Sequence, residues 1–327
     1  MKVAVIIPNF NGRGFLPGCL DSLGRMSFKD FAAIVVDNGS TDGSVELLRE
    51  HYPQVMVIGF AENRGFSAAV NEGIRQSEGD FVALLNNDTE VEGGWLGELV
   101  GALEESGPEV GSCVGKILYF DRRERIDSAG DGFTRAGFNF KRGWQERDQG
   151  QFDRPEMVFG ACAGAALYRR AMLKELGGFD EGFFAYLEDV DLSFRAQLKG
   201  YGCLYVPQAV AYHHFAGTSS QMGDFPIYQT QKNLVGLLVK DMPTGLLVRY
   251  LPSIIGFLLI SALYYLLRGK GGSFIRGRID GLREIRSHLK KRQEVQGSIR
   301  VPVARIDGML EKRWLRVRLR AARAKRM

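Results

Sequence analysis

The first 120 positions alternate between short apolar runs and longer amphipathic stretches. Positions 3–8, 32–37, 55–60, 81–85 and 111–119 are rich in β-branched or apolar residues and bounded by Gly, Asn or Asp, which predicts strands. Positions 15–23 and 44–51 space their apolar residues as helices do. The β-α-β-α order predicts an α/β fold, a doubly wound and mostly parallel sheet with helices on both faces. Such sheets bind ligands beyond the carboxyl ends of their strands. Polar residues fall at those ends: Asn9-Phe10-Asn11, Asp37-Asn38-Gly39-Ser40 and Asn86-Asn87-Asp88.

Beyond position 120 the pattern loosens. Positions 121–155 are rich in Gly, Arg and Asp and read as a long loop with a hairpin. The small-residue run 160–166 permits close approach of backbone or ligand. Positions 187–198 predict a helix with Leu187, Val190, Phe194 and Leu198 on one apolar stripe. Positions 250–267 carry no charge, a length marginal for a membrane span, and Pro252 and Gly256 are expected to interrupt them. The organisation expected is a catalytic domain over 1–240, with a nucleotide half (1–120) and an acceptor half (121–240), then a helical membrane-associating region over 241–327.

Charge divides the chain the same way. From Arg268 onward nineteen Lys and Arg face five Asp and Glu, whereas the preceding body is acidic. A basic tail after an apolar segment suits an anionic membrane better than nucleic acid, for which no binding module is visible. Cys19, Cys113, Cys162 and Cys203 form no C-x-x-C pair and read as buried thiols of a reducing compartment. The start 1–8 is too short and too soon interrupted for a signal peptide and reads as a strand. The expected location is the cytoplasmic face of the inner membrane, with an interfacial or re-entrant element and both flanks cytoplasmic.

Four stretches could carry chemistry. Asp37 ends a strand, where a carboxylate can accept from a nucleobase imide or a ribose; a plain turn capped by Ser40 or Asp42 explains it equally. Asp88 ends a buried strand and could hold a divalent cation against a diphosphate, or simply form an Asn/Asp turn. Glu188, Asp189 and Asp191 open a helix. Asp191 can pair Arg195 at i,i+4, but a Gly- and aromatic-rich approach to Glu188 and Asp189 suggests a walled pocket. Crowding raises a carboxylate's pKa and improves it as a base. His213 and His214 are two of only four histidines.

Taken together, VIIPNFNG, VVDNGSTDGS, ENRGFSAAVNEGI, LLNNDTEV, GGFDEGFFAYLEDVDLSFRAQLKGY and YHHFAGTSS resemble the family 2 glycosyltransferases, especially their rhamnosyltransferase-like branch in bacterial surface polysaccharide synthesis. The resemblance covers about 3–240 and implies a GT-A fold and an inverting, metal-assisted transfer. Its donor would be a nucleotide sugar, dTDP-rhamnose first among dTDP- and UDP-sugars, and its acceptor a saccharide or lipid-linked saccharide. It implies that Asp37 contacts the base, and that Pro8, Asn11, Asn63, Gly65 and Asn87 shape the nucleotide pocket. Asp88 and His213 would serve Mg2+ or Mn2+, Asp189 would be the catalytic base and Glu188 its neighbour. Asn86, Arg195, Lys232 and Trp95 would serve phosphate or acceptor. Two positions depart from the pattern: Asn86 replaces the first Asp of Asp-X-Asp, and Lys232 stands where the branch has Arg. A catalytically inactive nucleotide-sugar-binding scaffold is the rival reading, and an oligomer is compatible with either. A sugar-1-phosphate nucleotidyltransferase is disfavoured, because 9–14 holds a single Arg.

Overall fold

The computed structural model describes residues 1–214 and 222–324. The strands are β1 (Val3–Asn9), β2 (Phe31–Asp37), β3 (Met56–Gly59), β4 (Phe81–Leu85), β5 (Thr89–Val91), β6 (Val110–Tyr119), β7 (Ile126–Ser128), β8 (Asp131–Phe133), β9 (Asn139–Lys141), β10 (Glu156–Val158), β11 (Ala165–Arg169) and β12 (Gly202–His213). The helices are α1 (Leu16–Gly24), α2 (Ser44–His51), α3 (Phe66–Arg75), α4 (Trp95–Glu105), α5 (Arg170–Leu176), α6 (Glu188–Lys199), α7 (Phe225–Asp241), α8 (Thr244–Leu267), α9 (Gly271–Arg283), α10 (Ile285–Gly297), α11 (Val303–Met309) and α12 (Trp314–Ala324).

One sheet organises the body, in the order β10-β12-β6-β11-β4-β1-β2-β3. Strands β3, β2, β1 and β4 run parallel, and β6 runs parallel to β12; β11 is inserted antiparallel between β4 and β6. The period of two along β1 explains how both faces are covered. Val3, Val5 and Ile7 pack with Leu16, Trp95 and Leu99 on one side. Ala4 and Ile6 pack with Ala69, Val70 and Tyr168 on the other. Each large side chain fully buried here contributes roughly 1.5–3 kcal/mol. The polar residues after β1, β2 and β4 are thereby delivered to one rim.

A third core lies off the sheet. The α6 stripe of Leu187, Val190, Phe194 and Leu198 packs with Phe133, Leu237, Ile306 and Leu310. The region 121–155 holds the expected hairpin as β8–β9, together with β7. Helix α9 does not ride free on the outside: it lies against α7 at Gly277 and Gly281, where a Cβ would sit 2.3 Å from the Tyr228 carbonyl and 2.6 Å from the Lys232 carbonyl. Helix α8 runs unbroken through Pro252 and Gly256, which corrects the expectation of an interrupted segment. Pro252 is exposed on that helix.

Candidate active site

Two short connections build the rim. After β1, Asn9 donates to Asp37 Oδ1 at 2.8 Å and accepts from Asn87 Nδ2 at 2.7 Å, linking three strand ends in one chain of side chains. After β2, Asn38 donates to Asn63 Oδ1 and to the Gly65 carbonyl, both at 3.0 Å. Gly65 has φ +90°, and a Cβ there would lie 2.6 Å from Phe184. Only glycine satisfies both the backbone and the close approach.

The opposite wall is the segment leading into α6. Phe184, Tyr186 and Leu187 all have positive φ, at 60°, 68° and 69°. Each such residue costs on the order of 1–3 kcal/mol unless its surroundings enforce it. Asn233 on α7 enforces it, donating to the carbonyls of Phe183, Ala185 and Tyr186 at 2.7–2.8 Å. Gln229 adds a bond to the Phe183 carbonyl at 2.8 Å.

The walls enclose a cleft of about 330 Å3. Pro8, Asn63, Gly65, Asn86, Asn87, Asp88, Glu188, Asp189 and His213 all line it, as expected from the sequence. Five other expectations are corrected. Asp37 is buried behind the wall, its oxygens accepting from Asn9 and from the Ser40 amide at 3.0 Å. Asn11 braces the loop from outside the cleft, accepting from the Thr41 amide at 2.8 Å. Trp95 is fully buried in the core beneath the sheet and cannot touch a ligand. Arg195 pairs with Asp191 at 2.8 Å and donates to the Leu176 and Gly178 carbonyls, a structural role. Lys232 pairs with Glu284 at 2.7 Å, away from the cleft. The YHHFAGTSS stretch is described only through His214, so residues 215–221 lie outside the described residues.

Sequence reasoning missed a charged chain behind the cleft. His213 Nε2 lies 3.3 Å from Asp88 Oδ1, and its Nδ1 lies 3.0 Å from Asp127 Oδ2; Lys141 Nζ reaches the same Asp127 oxygen at 2.9 Å. Burial by itself disfavours the His213 cation, but hydrogen bonds and charge from Asp127 and Asp88 outweigh it and push its pKa up to about 9. Asp127 is held below the usual carboxylate range: burial opposes its charge, and Lys141 and His213 outweigh burial. Nothing in the local sequence around Asp127 or Lys141 signals this, because the pairing partners lie on other strands.

The second group of acids is treated differently. Asp189 Oδ2 accepts from the Ala163 amide at 3.2 Å, and Oδ1 from the Val190 amide at 2.8 Å. Burial raises the Asp189 carboxyl in spite of those amides. Glu188 and Asp131 are pushed well above the ordinary range by burial and then by the Asp189 charge. Asp131, Cys162 and Asp189 bring one ligand-type atom each within 4.8 Å of one another. One cleft thus holds the Asp189 carboxylate together with the Asp88–His213 pair. Asp88 is the carboxylate there that suits a divalent cation whose remaining ligands are phosphate oxygens, and His213 would join it only by giving up its proton.

A nucleotide-type parallel sheet, an inserted antiparallel strand and an acidic cleft at the strand ends define a glycosyltransferase of the GT-A type. The chain belongs to glycosyl transferase family 2, whose model matches residues 4–177. It is 32% identical over 227 residues to the uncharacterized protein y4gI of Sinorhizobium fredii, covering 65% of this chain and 24% of that protein. It is 29% identical over 224 residues to N-acetylglucosaminyl-diphospho-decaprenol L-rhamnosyltransferase of Mycobacterium tuberculosis, covering 62% of this chain and 72% of that one. Among solved structures, S. aureus TarS 1-349 superposes with a TM-score of 0.54 at 18% identity, covering 91% of both chains. GalNAc-T7 with UDP, GalNAc and Mn2+ superposes with a TM-score of 0.60 at 17% identity, covering 90% of this chain and 56% of that one.

Proposed function

We propose that the chain is an inverting hexosyltransferase that moves a sugar, rhamnose from dTDP-rhamnose as the first candidate, to a saccharide or lipid-linked acceptor in cell-surface polysaccharide synthesis. The observation that carries this reading is that Asp189, Asp88 and His213 line one cleft. Support for the sugar comes from the rhamnosyltransferase relative; support for a divalent cation comes from the Mn2+ in the GalNAc-T7 structure.

In this reading the nucleotide lies along Pro8, Asn63 and Gly65. Asn9 and Asn38, rather than Asp37 directly, present the polar edge of that pocket. Asp88, with His213 beside it, would hold Mg2+ or Mn2+, which when bound offsets charge on the leaving diphosphate. Asp189 accepts the proton of the acceptor hydroxyl. The acceptor oxygen forms its bond to the anomeric carbon as the bond to the diphosphate oxygen breaks, and the electron pair leaves with the nucleoside diphosphate. A single displacement inverts the anomeric centre. Burial and the Asp189 charge push the Glu188 carboxyl toward its neutral form, which limits the negative charge beside Asp189.

The site of action proposed is the cytoplasmic face of the inner membrane. Helix α8 exposes Val248, Leu251, Ile255, Leu259, Ile260 and Leu263 beside the basic tail. The experiment is to assay a panel of dTDP-, UDP- and GDP-sugars for nucleoside diphosphate release with and without acceptor. Release from dTDP-rhamnose alone supports the full reading, release from another sugar moves the donor, and release from none overturns it.

A further inference from the structure

The small-residue run 160–166 is a hub for three side chains, of which the mechanism above uses one. Asp131, which opens β8, exchanges both backbone hydrogen bonds with Gly160, at 3.0 and 3.3 Å. Gly160 lies so close to α6 that a Cβ there would sit 2.2 Å from Ser193 Oγ. Cys162 follows in the same run, and the Ala163 amide donates to Asp189 Oδ2 at 3.2 Å. Strand β8, the run and α6 thereby gather the Asp131 carboxylate, the Cys162 thiol and the Asp189 carboxylate. One ligand atom from each lies within 4.8 Å of the other two.

A second observation points to a ligand there. Asp131 is only 5% exposed, and its Oδ1 has no hydrogen-bond partner among the described residues. Buried polar atoms are usually satisfied. Cys162 and Asp189 line the cleft, whereas Asp131 stands behind them. A cation held by all three would therefore keep an open side toward the cleft. Three protein ligands with one open position are a common zinc arrangement.

The donor set decides the metal. Mg2+ is a hard cation that takes oxygen ligands in near-ideal octahedra, whereas a thiolate selects softer ions such as Zn2+. Burial raises all three groups toward their protonated forms, so a cation has to displace protons, as metals do from coordinating thiols. The charge of Lys141 reaches all three groups and opposes a second cation. Asp127 is paired with that ammonium at 2.9 Å and offsets it. The charge of the three ligands is thus left for the metal.

We propose that Asp131, Cys162 and Asp189 form a second cation site, selective for Zn2+ over Mg2+, and that its occupation silences the enzyme by taking up the carboxylate that serves as base. Binding forms a metal–sulfur bond and releases the thiol proton to solvent, with no electron transferred. The site shares no residue with the Asp88–His213 pair. Cation binding stands on the cluster alone, and the silencing rests on the reading of Asp189 as the base.

The test uses the full chain in excess Mg2+, which fills the oxygen-ligand site, with Cd2+ as a spectroscopic stand-in for Zn2+. Cd2+ should bring up an ultraviolet thiolate-to-metal absorption in the wild type, and Zn2+ should displace it. Cys162→Ser should abolish the band. Asp131→Asn, which keeps the thiol, should weaken binding of both ions by at least the roughly tenfold that loss of even an outer-shell partner costs. Circular dichroism matching the wild type shows that each variant is folded. No band in the wild type overturns the proposal without any variant. A band that survives Cys162→Ser, or unchanged affinity in Asp131→Asn, overturns it as well. Silencing is read separately: Zn2+ should lower the turnover of the wild type far more than that of Cys162→Ser, each relative to its own rate without Zn2+. Binding with no loss of turnover would leave the cation site standing and sink both the silencing and the role of Asp189 as base.

Discussion

The side-chain amide of Asn233 donates to the carbonyl oxygen of Tyr186 at 2.7 Å. This contact ties α7 to the strained turn that aims Glu188 and Asp189 into the cleft. The sequence motif around 231–233 draws the eye to Lys232 as a phosphate ligand, but the fold uses its neighbour. Asn233→Ala leaves the Ala185 and Tyr186 carbonyls short of this donor while Gln229 still serves Phe183, at a cost of about 1–3 kcal/mol for each group left unsatisfied. The expected outcome is a clearly lowered melting temperature and, in the folded fraction, a turnover loss larger than any change in nucleotide affinity. Lys232→Ala should change both measurements little, because its pair with Glu284 is a partly exposed one. Equal effects of the two substitutions would return Lys232 to the site.

Asp189→Asn keeps the shape of the side chain and removes its proton affinity. Turnover should fall by roughly 10²–10⁴-fold, the usual range for general base catalysis. Nucleotide binding, measured by calorimetry, should stay near the wild-type value. Near-normal turnover would remove Asp189 from the mechanism.

The pH dependence follows from the direction of the shift. Burial raises the Asp189 carboxyl above its ordinary value, and a base works only when deprotonated. The ratio kcat/KM should therefore be full at high pH and decline as pH falls through that raised pKa, with a midpoint above the ordinary Asp value of about 3.9. Because Asp131 and Glu188 share the environment, the limb belongs to the group rather than to one residue. A limb midpoint at or below the ordinary carboxylate value would contradict the buried geometry of Asp189.

Asp88→Ala should abolish cation-dependent donor binding and also lower stability, because Asp88 is buried and faces the His213 imidazole at 3.3 Å. Activity should vanish in chelator and return with Mg2+ or Mn2+. Full activity in chelator would mean that side-chain cations carry the diphosphate instead.

What the sequence revealed, and what it hid, has a physical division. The strands of the first half were legible because each is a continuous apolar run ended by Asn, Asp or Gly, and the α6 stripe because its period is helical. The Asp191–Arg195 pair was legible from its i,i+4 spacing and is present; what misled was giving Arg195 and Trp95 a ligand, because an arginine and a tryptophan on a helix look equally plausible facing solvent or core. Only packing decides, and it closes Arg195 onto Asp191 and the Leu176 carbonyl. The Asp127–Lys141 extension behind Asp88 and His213 was illegible, because Asp127 reaches His213 only when β7 and β12 both pair with β6.

The last prediction concerns the membrane. Helix α8 has 24 residues, about 36 Å at 1.5 Å per residue, long enough to cross a bilayer. Its contacts argue against crossing. Phe257 stacks on Phe138 with ring centroids 4.1 Å apart, and the Tyr250 hydroxyl bonds to Asp307 at 2.6 Å. Further along, Tyr265 stacks on Phe274 at 5.4 Å. One face is thus packed at three points against Phe138, Asp307 and Phe274, an arrangement that favours a helix held along the protein over one standing across the membrane. A span would additionally carry the basic tail to the far side, against the positive-inside tendency. We therefore expect α8 to lie in the interface on its outer face, with each nearby Lys or Arg adding about 1 kcal/mol toward anionic lipid, screened by salt. Leu259→Glu combined with Leu263→Glu should release the protein from anionic vesicles and spare nucleotide binding. High salt should release the wild type in part, and mild detergent more fully. Labelling of a cysteine placed after Met327 from outside the inner membrane of intact cells would refute this topology and make α8 a transmembrane helix.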